Sequence, residues 1–170
     1  MRDALVVGAA WGVWDDLRAA AHHLQNPEVF AVGEMVVFYP PLIEHAVSHH
    51  AEQLVHWRAA RRGDAYCDQE VVTTHSSLAR PGIDRAWLDF REGDSALLAV
   101  RVALSLGFTR VIVIGVQLQS GVGHVWEDVA GPMPFDFTHY REHWTRLREE
   151  FIGRVFGVSG FVGELLGSLA

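Results

Sequence analysis

The sequence contains no lysine, so all 14 of its basic residues are arginine. That absence removes the phosphate-loop lysine, Schiff-base chemistry and any lysine general base. Against 21 acidic residues the formal net charge is −7, which leaves no broad cationic face for a nucleic-acid backbone, and no nucleic-acid partner is expected. Cysteine occurs once, as Cys67, so an intramolecular disulfide, a cysteine zinc cluster and a CxxC redox pair are all ruled out. Long apolar runs are missing too. Ala4 to Val7 runs soon into Asp15 and Asp16, without the continuous core of a signal peptide or a membrane span. A cytoplasmic protein with no membrane partner is the expectation.

What is present is the composition of a folded domain: 170 residues, 49% apolar and 11% aromatic, long enough for one substantial core. Ala4 to Val7, Val29 to Val32, Glu44 to Ser48, Val71 to Thr74 and Val111 to Val116 read as buried strands, with Trp87 to Phe90 a brief further one. Helical spacing marks Trp14 to Leu24, the stretch from Ala51, the stretch after Gly93, and a face made by Tyr140, Trp144, Leu147 and Phe151. Ser159 and Gly167 bracket a last short helix as N-cap and stop. Strands that are apolar throughout and alternate with helices predict a single α/β domain. Its mostly parallel sheet of five to six strands is covered on both faces. Residues 117–137 are expected to form a long loop and 138–170 the C-terminal helices.

In such a sheet, ligands bind beyond the carboxyl ends of the strands. Glycines and histidines recur there: Gly8 and Gly12 after the first strand, Gly33 after the second, His49 and His50 after the third, His75 after the fourth, and Gln117 and His124 after the last. Small residues permit close backbone approach, and imidazoles serve as acids or bases near neutral pH. Gly93-Asp94-Ser95 precedes a helix, where backbone N–H groups and the helix dipole attract anions such as phosphate. The same three residues also read simply as a helix cap.

Metal binding has two sequence candidates. Asp136, His139 and His143 have a spacing for two imidazoles and one carboxylate, and His45, His49 and His50 offer further nitrogens. Without an HExxH pattern, His139 and His143 read equally as the polar side of an amphipathic helix. No tightly bound metal or cofactor is expected, with Mg²⁺ arriving only on a nucleotide.

The run Gly93-Asp94-Ser95, Leu106-Gly107-Phe108 and Val111 to Val116 resembles a family. It includes archaeal 6-hydroxymethylpterin pyrophosphokinase-like proteins and the glycosyltransferase-like domain of motility accessory factors, and it looks distantly like bacterial sialyltransferases. The sequence departs from that pattern at Gln117, where the family commonly has Asp, and at Ala9, Ala10 and Trp11, where it commonly has Asn, Pro and Ser. The ending from Ser159-Gly160-Phe161 through Leu166 is similar to short phage-encoded proteins. The resemblance implies a Rossmann-like three-layer sandwich that binds a nucleotide or nucleotide sugar; a homo-oligomer is a separate expectation. Gly8 and Gly12 would then approach phosphates and Gly93 and Ser95 would contact the nucleotide; by their places at strand ends or the helix start, Gly33, His49, Asp94 and Gln117 are expected to line the site and His124 or His75 to act as base. Arg80 and Arg91 are candidates to clamp the leaving phosphate. Three functions follow as expectations. They are glycosyl-type transfer, Mg²⁺-dependent pyrophosphoryl transfer using Asp15, Asp16 and Asp94, and a non-catalytic module presenting Trp126, Phe135 and Phe137.

Overall fold

Strand β1 (Asp3–Val7) is buried at all five positions because it lies mid-sheet with helices on both sides. Ala4 and Val6 face one layer while Leu5 and Val7 face the other, so an unbroken apolar run hides an ordinary two-residue alternation. The computed structural model describes residues 2–62, 70–119 and 136–169.

The other strands are β2 (Glu28–Val32), β3 (Ile43–Val47), β4 (Val71–Ser76), β5 (Arg85–Ala86), β6 (Arg110–Ile114) and β7 (Val155–Gly157). They form one seven-stranded, wholly parallel sheet in the order β5-β4-β3-β2-β1-β6-β7. The α/β three-layer architecture is as expected, with more strands than the five to six anticipated. The chain steps outward from β1 to β5 and then crosses back to lay β6 on the free side of β1, with Val7 opposite both Ala31 and Ile114. The carboxyl ends of β1 and β6 therefore form a topological switch point, where the flanking connections diverge and leave a crevice.

Helices α1 (Val13–Ala20), α2 (Met35–Phe38) and α3 (Ala51–Arg62) belong to one layer. Helices α4 (Ser95–Ser105), α5 (Thr138–Arg146), α6 (Arg148–Phe151) and α7 (Gly160–Leu166) belong to the other. Helix α4 is buried on most of its surface and packs against Phe30, Val111 and Val113. Arg61 at the end of α3 is 1% exposed and donates to the carbonyls of Val36, Tyr39, Pro40 and Pro41, tying α3 to the chain between α2 and β3. Among the described residues no helix is long and apolar enough to cross a membrane.

Three expectations change. Trp87 to Phe90 is a turn, closed by Phe90 N–H on the Trp87 carbonyl, and the strand is Arg85–Ala86 just before it. The apolar face from Tyr140 to Phe151 belongs to two helices, α5 and α6, which meet at Leu147. The C-terminal stretch expected to be helical contains β7, whose Gly157 lies so close to Gly163 of α7 that an added Cβ would come 2.4 Å from the Gly163 nitrogen. Ser159 does stand at the N-cap of α7, but its hydroxyl donates to Asp16 at 2.9 Å and does not cap the helix.

Candidate functional site

The switch point opens into a cleft of about 850 Å³. Its floor is the contact between β1 and β6. A Cβ on Gly8 would sit 2.5 Å from the Gly115 carbonyl oxygen, and one on Gly115 would sit 2.3 Å from the Gly8 oxygen. Gly8 and Gly115 thus let two backbones touch, which no larger residue permits. Asp16, buried on α1, locks this floor by accepting from the Gly115 N–H at 3.0 Å.

Around the floor stand the ends of five strands and the start of α4. Gly8, Gly33, His49, Gly93, Asp94, Ser95 and Gln117, all singled out from the sequence, line the cleft together. Gly12 and His75 do not. Gly12, at φ 93°, begins α1 and accepts from the Asp15 and Asp16 N–H groups, which is turn chemistry. His124, Trp126 and Phe135 lie outside the described residues.

His75 points into the α4 layer and is fully buried. The Trp87 indole N–H, which can only donate, bonds its Nδ1 at 3.0 Å. The proton of neutral His75 is therefore on Nε2, which donates to His45 Nδ1 at 2.9 Å, and His45 Nε2 in turn donates to Glu28 at 3.1 Å. One donor-only indole sets the direction of the whole chain. Burial, together with the neighbouring His45 and Arg85, pushes the His75 imidazole down to about 3. His75 is thus a neutral structural imidazole without access to the cleft, and the base role expected of it falls away.

The α4 start also differs from an open anion site. Asp94 caps it: one carboxylate oxygen accepts from the Ala96 and Leu97 N–H groups at 2.8 and 2.9 Å. The other accepts from the Trp144 indole at 2.7 Å. The helix therefore supplies its own anion, and two of the amides expected to meet a phosphate are taken. Gly93, at φ 88°, makes the turn into this cap. Gln117 is also engaged, its side-chain amide donating to the Trp11 carbonyl at 3.0 Å and its backbone carbonyl accepting from the Phe161 N–H.

The chemistry in the cleft centres on His49. Its backbone N–H donates to the Ser95 hydroxyl at 3.1 Å, and its Nδ1 lies 2.8 Å from the Ser77 hydroxyl. Its Nε2 is sealed from solvent without a hydrogen-bond partner. Burial lowers its proton affinity, and the charge and backbone carbonyl of Asp94 oppose this in part, so His49 is neutral at pH 7.

No family model, curated protein or solved structure matches this chain. The chemistry of the cleft is therefore argued from its own residues.

Several of those were not picked out in advance. Ser77, Glu34 and Trp57 line the cleft, and so do Phe137, expected on a protein-contact surface, and Tyr140, expected only on a helix's apolar face. Ser77 directly follows a strand and had that one signal, whereas Trp57 sits mid-helix and reaches the cleft only through the packing of α3. Of the two candidate arginines, Arg91 lines the cleft and Arg80 does not.

The metal candidates come apart. Among the described residues no three His, Cys, Asp or Glu side chains gather around a cation position. Asp15 pairs with Arg18, Asp16 is used beneath the floor and Asp94 caps α4. His139 and His143 do place their Nε2 atoms 3.0 Å apart, but Arg146 donates to His143 Nδ1 at 2.9 Å. That fixes the proton of neutral His143 on Nε2, where a metal would need a lone pair. Asp136 instead caps Thr138.

Proposed function

We propose that this protein binds a nucleotide or nucleotide sugar in the switch-point cleft and transfers the group the nucleotide activates, in the manner of a glycosyltransferase. The observation that carries the reading is the cleft itself, about 850 Å³ at the reversal of strand order in a parallel sheet. Trp57, Phe137 and Tyr140 supply aromatic wall for a base, and Arg91 supplies a cation for a phosphate. Because Asp94 occupies the Ala96 and Leu97 amides, phosphate recognition falls to Arg91 and the Ser95 hydroxyl. Because His49 Nε2 is sealed and Nδ1 is bonded to Ser77, the acceptor's proton passes to the Ser77 hydroxyl as that hydroxyl gives its own to His49 Nδ1, the base that is neutral at pH 7. Pyrophosphoryl transfer is less well supported, since Asp15, Asp16 and Asp94 are each engaged elsewhere and do not form a Mg²⁺ site.

Calorimetric titration with CMP, UDP, GDP and ATP tests the reading. One of them is expected to bind at one per chain, with Arg91→Ala weakening it by about tenfold, as loss of a charge-assisted contact does. No binding of any of the four at millimolar concentration refutes it.

A further inference from the structure

Four serines stand at the ends of β3 and β4 and the start of α4, and the hydroxyls of three have structural work. Ser48 accepts from the His50 N–H, Ser76 from the Leu78 N–H and Ser95 from the His49 N–H. The fourth, Ser77, instead touches a base, with its Oγ 2.8 Å from His49 Nδ1. Both residues line the cleft, and Ser77 is only 4% exposed, so the pair is shielded from bulk water. The His49 backbone N–H donates to Ser95, and the Asp94 charge and carbonyl act on the ring from the α4 side. A hydroxyl within hydrogen-bond reach of an oriented, neutral imidazole is the geometry of an activated nucleophile. Val32, Trp57 and Leu78 give the neighbouring wall apolar surface that suits an acyl group.

We infer that Ser77 and His49 form a nucleophile–base pair that gives the cleft an acyl-transfer activity on small carboxylic esters. Ser77 Oγ attacks the ester carbonyl carbon while its proton passes to His49 Nδ1. The bond from that carbon to the alcohol oxygen breaks, and the departing oxygen takes the proton from Nδ1. Water then attacks the acyl-serine, giving a proton to Nδ1, and Ser77 leaves and recovers that proton. The balance is one ester and one water consumed, and one acid and one alcohol released, with Ser77 and His49 restored.

The test is treatment of the folded full-length protein with a fluorophosphonate, followed by peptide mass mapping, alongside hydrolysis of p-nitrophenyl butyrate. The expected result is a single phosphonate on Ser77, with hydrolysis falling to the uncatalysed rate in Ser77→Ala. His49→Gln is expected to slow labelling by about 100-fold or more, the contribution of a general base. An unlabelled Ser77 in the folded wild-type protein overturns the inference without reference to any variant, and so does a Ser77→Ala protein that hydrolyses the ester as the wild type does. Neither probe contains a nucleotide, so this result and the nucleotide titrations succeed or fail separately.

Discussion

Acidification from pH 7 to about pH 5 should remove about 2 kcal/mol of stability through His75 alone. In the native state Trp87 donates to Nδ1 of this fully buried ring, so protonating it would break that bond and bury a charge. The imidazole, which ordinarily titrates at 6.5, is held down to about 3. Above 6.5 both the native and the unfolded chain carry it neutral, and stability is flat. Below 6.5 the unfolded chain takes up a proton that the native chain refuses, and about 1.4 kcal/mol is lost per pH unit until the native ring titrates near 3. His45 and His49 are also lowered by burial and add losses of the same sign. Burial pushes Glu28 up, but its bonds to Arg2 and His45 outweigh this, and its titration lies below the pH 5 to 7 window. The control is His75→Gln, whose amide accepts from Trp87 and donates to His45 but does not titrate. Urea unfolding followed by tryptophan fluorescence should show the variant losing about 2 kcal/mol less than wild type between the two pH values, one proton fewer taken up on unfolding. Equal losses in the two proteins would refute the neutral-imidazole assignment.

Gly8→Ala drives a methyl to 2.5 Å from the Gly115 oxygen and should cost about 1–3 kcal/mol by overpacking, read as a lower urea midpoint; an unchanged midpoint contradicts the touching backbones. Asp94→Ala removes the α4 cap and leaves the Trp144 indole without its acceptor, which should cost about 2–4 kcal/mol. Asp94→Asn should fall between the two, because its amide oxygen can cap the helix while its NH₂ faces the Trp144 N–H; a full loss in Asn would show that charge, and not hydrogen-bond count, is what matters.

Much of the fold was readable because it depends on local pattern. The apolar runs at Ala4 to Val7 and Val111 to Val116 exceed what one buried face needs, which marks strands covered on both sides. Gly167 ends a helix where the sequence places it, and Gly107 follows the end of α4, both at positive φ. β7 escaped notice because three residues ending in glycine carry too little pattern, and only its pairing with β6 makes it a strand. Trp87 to Phe90 looked like a strand by composition, yet the Trp87 indole is drawn inward to His75 and the chain turns there.

The site was half readable. Position at a strand end placed Gly8, Gly33, His49 and Gln117 in the cleft, because every carboxyl end of a parallel sheet opens on the same side. The same rule misplaced His75, because β4 runs on to Ser76 and leaves His75 inside the strand, paired with Val47 and Arg85 and facing a helix layer. In the sequence His49 and His75 look alike, each following serine or threonine after an apolar run, although His49 stands two residues beyond β3 and His75 inside β4. What separates them is the partner across the fold, Ser77 for one and Trp87 with His45 for the other.

The sequence by itself determined the α/β alternation, the parallel sheet, the turn before α4 and the exclusion of lysine and cysteine chemistry, because propensity, periodicity and residue inventory are local properties. Only the tertiary structure decided that Asp94 also holds the Trp144 indole, that His75 is a buried neutral link and that His49 meets Ser77. Those assignments rest on hydrogen bonds between residues 12 to 50 positions apart, whose donors and acceptors are matched only when the layers close.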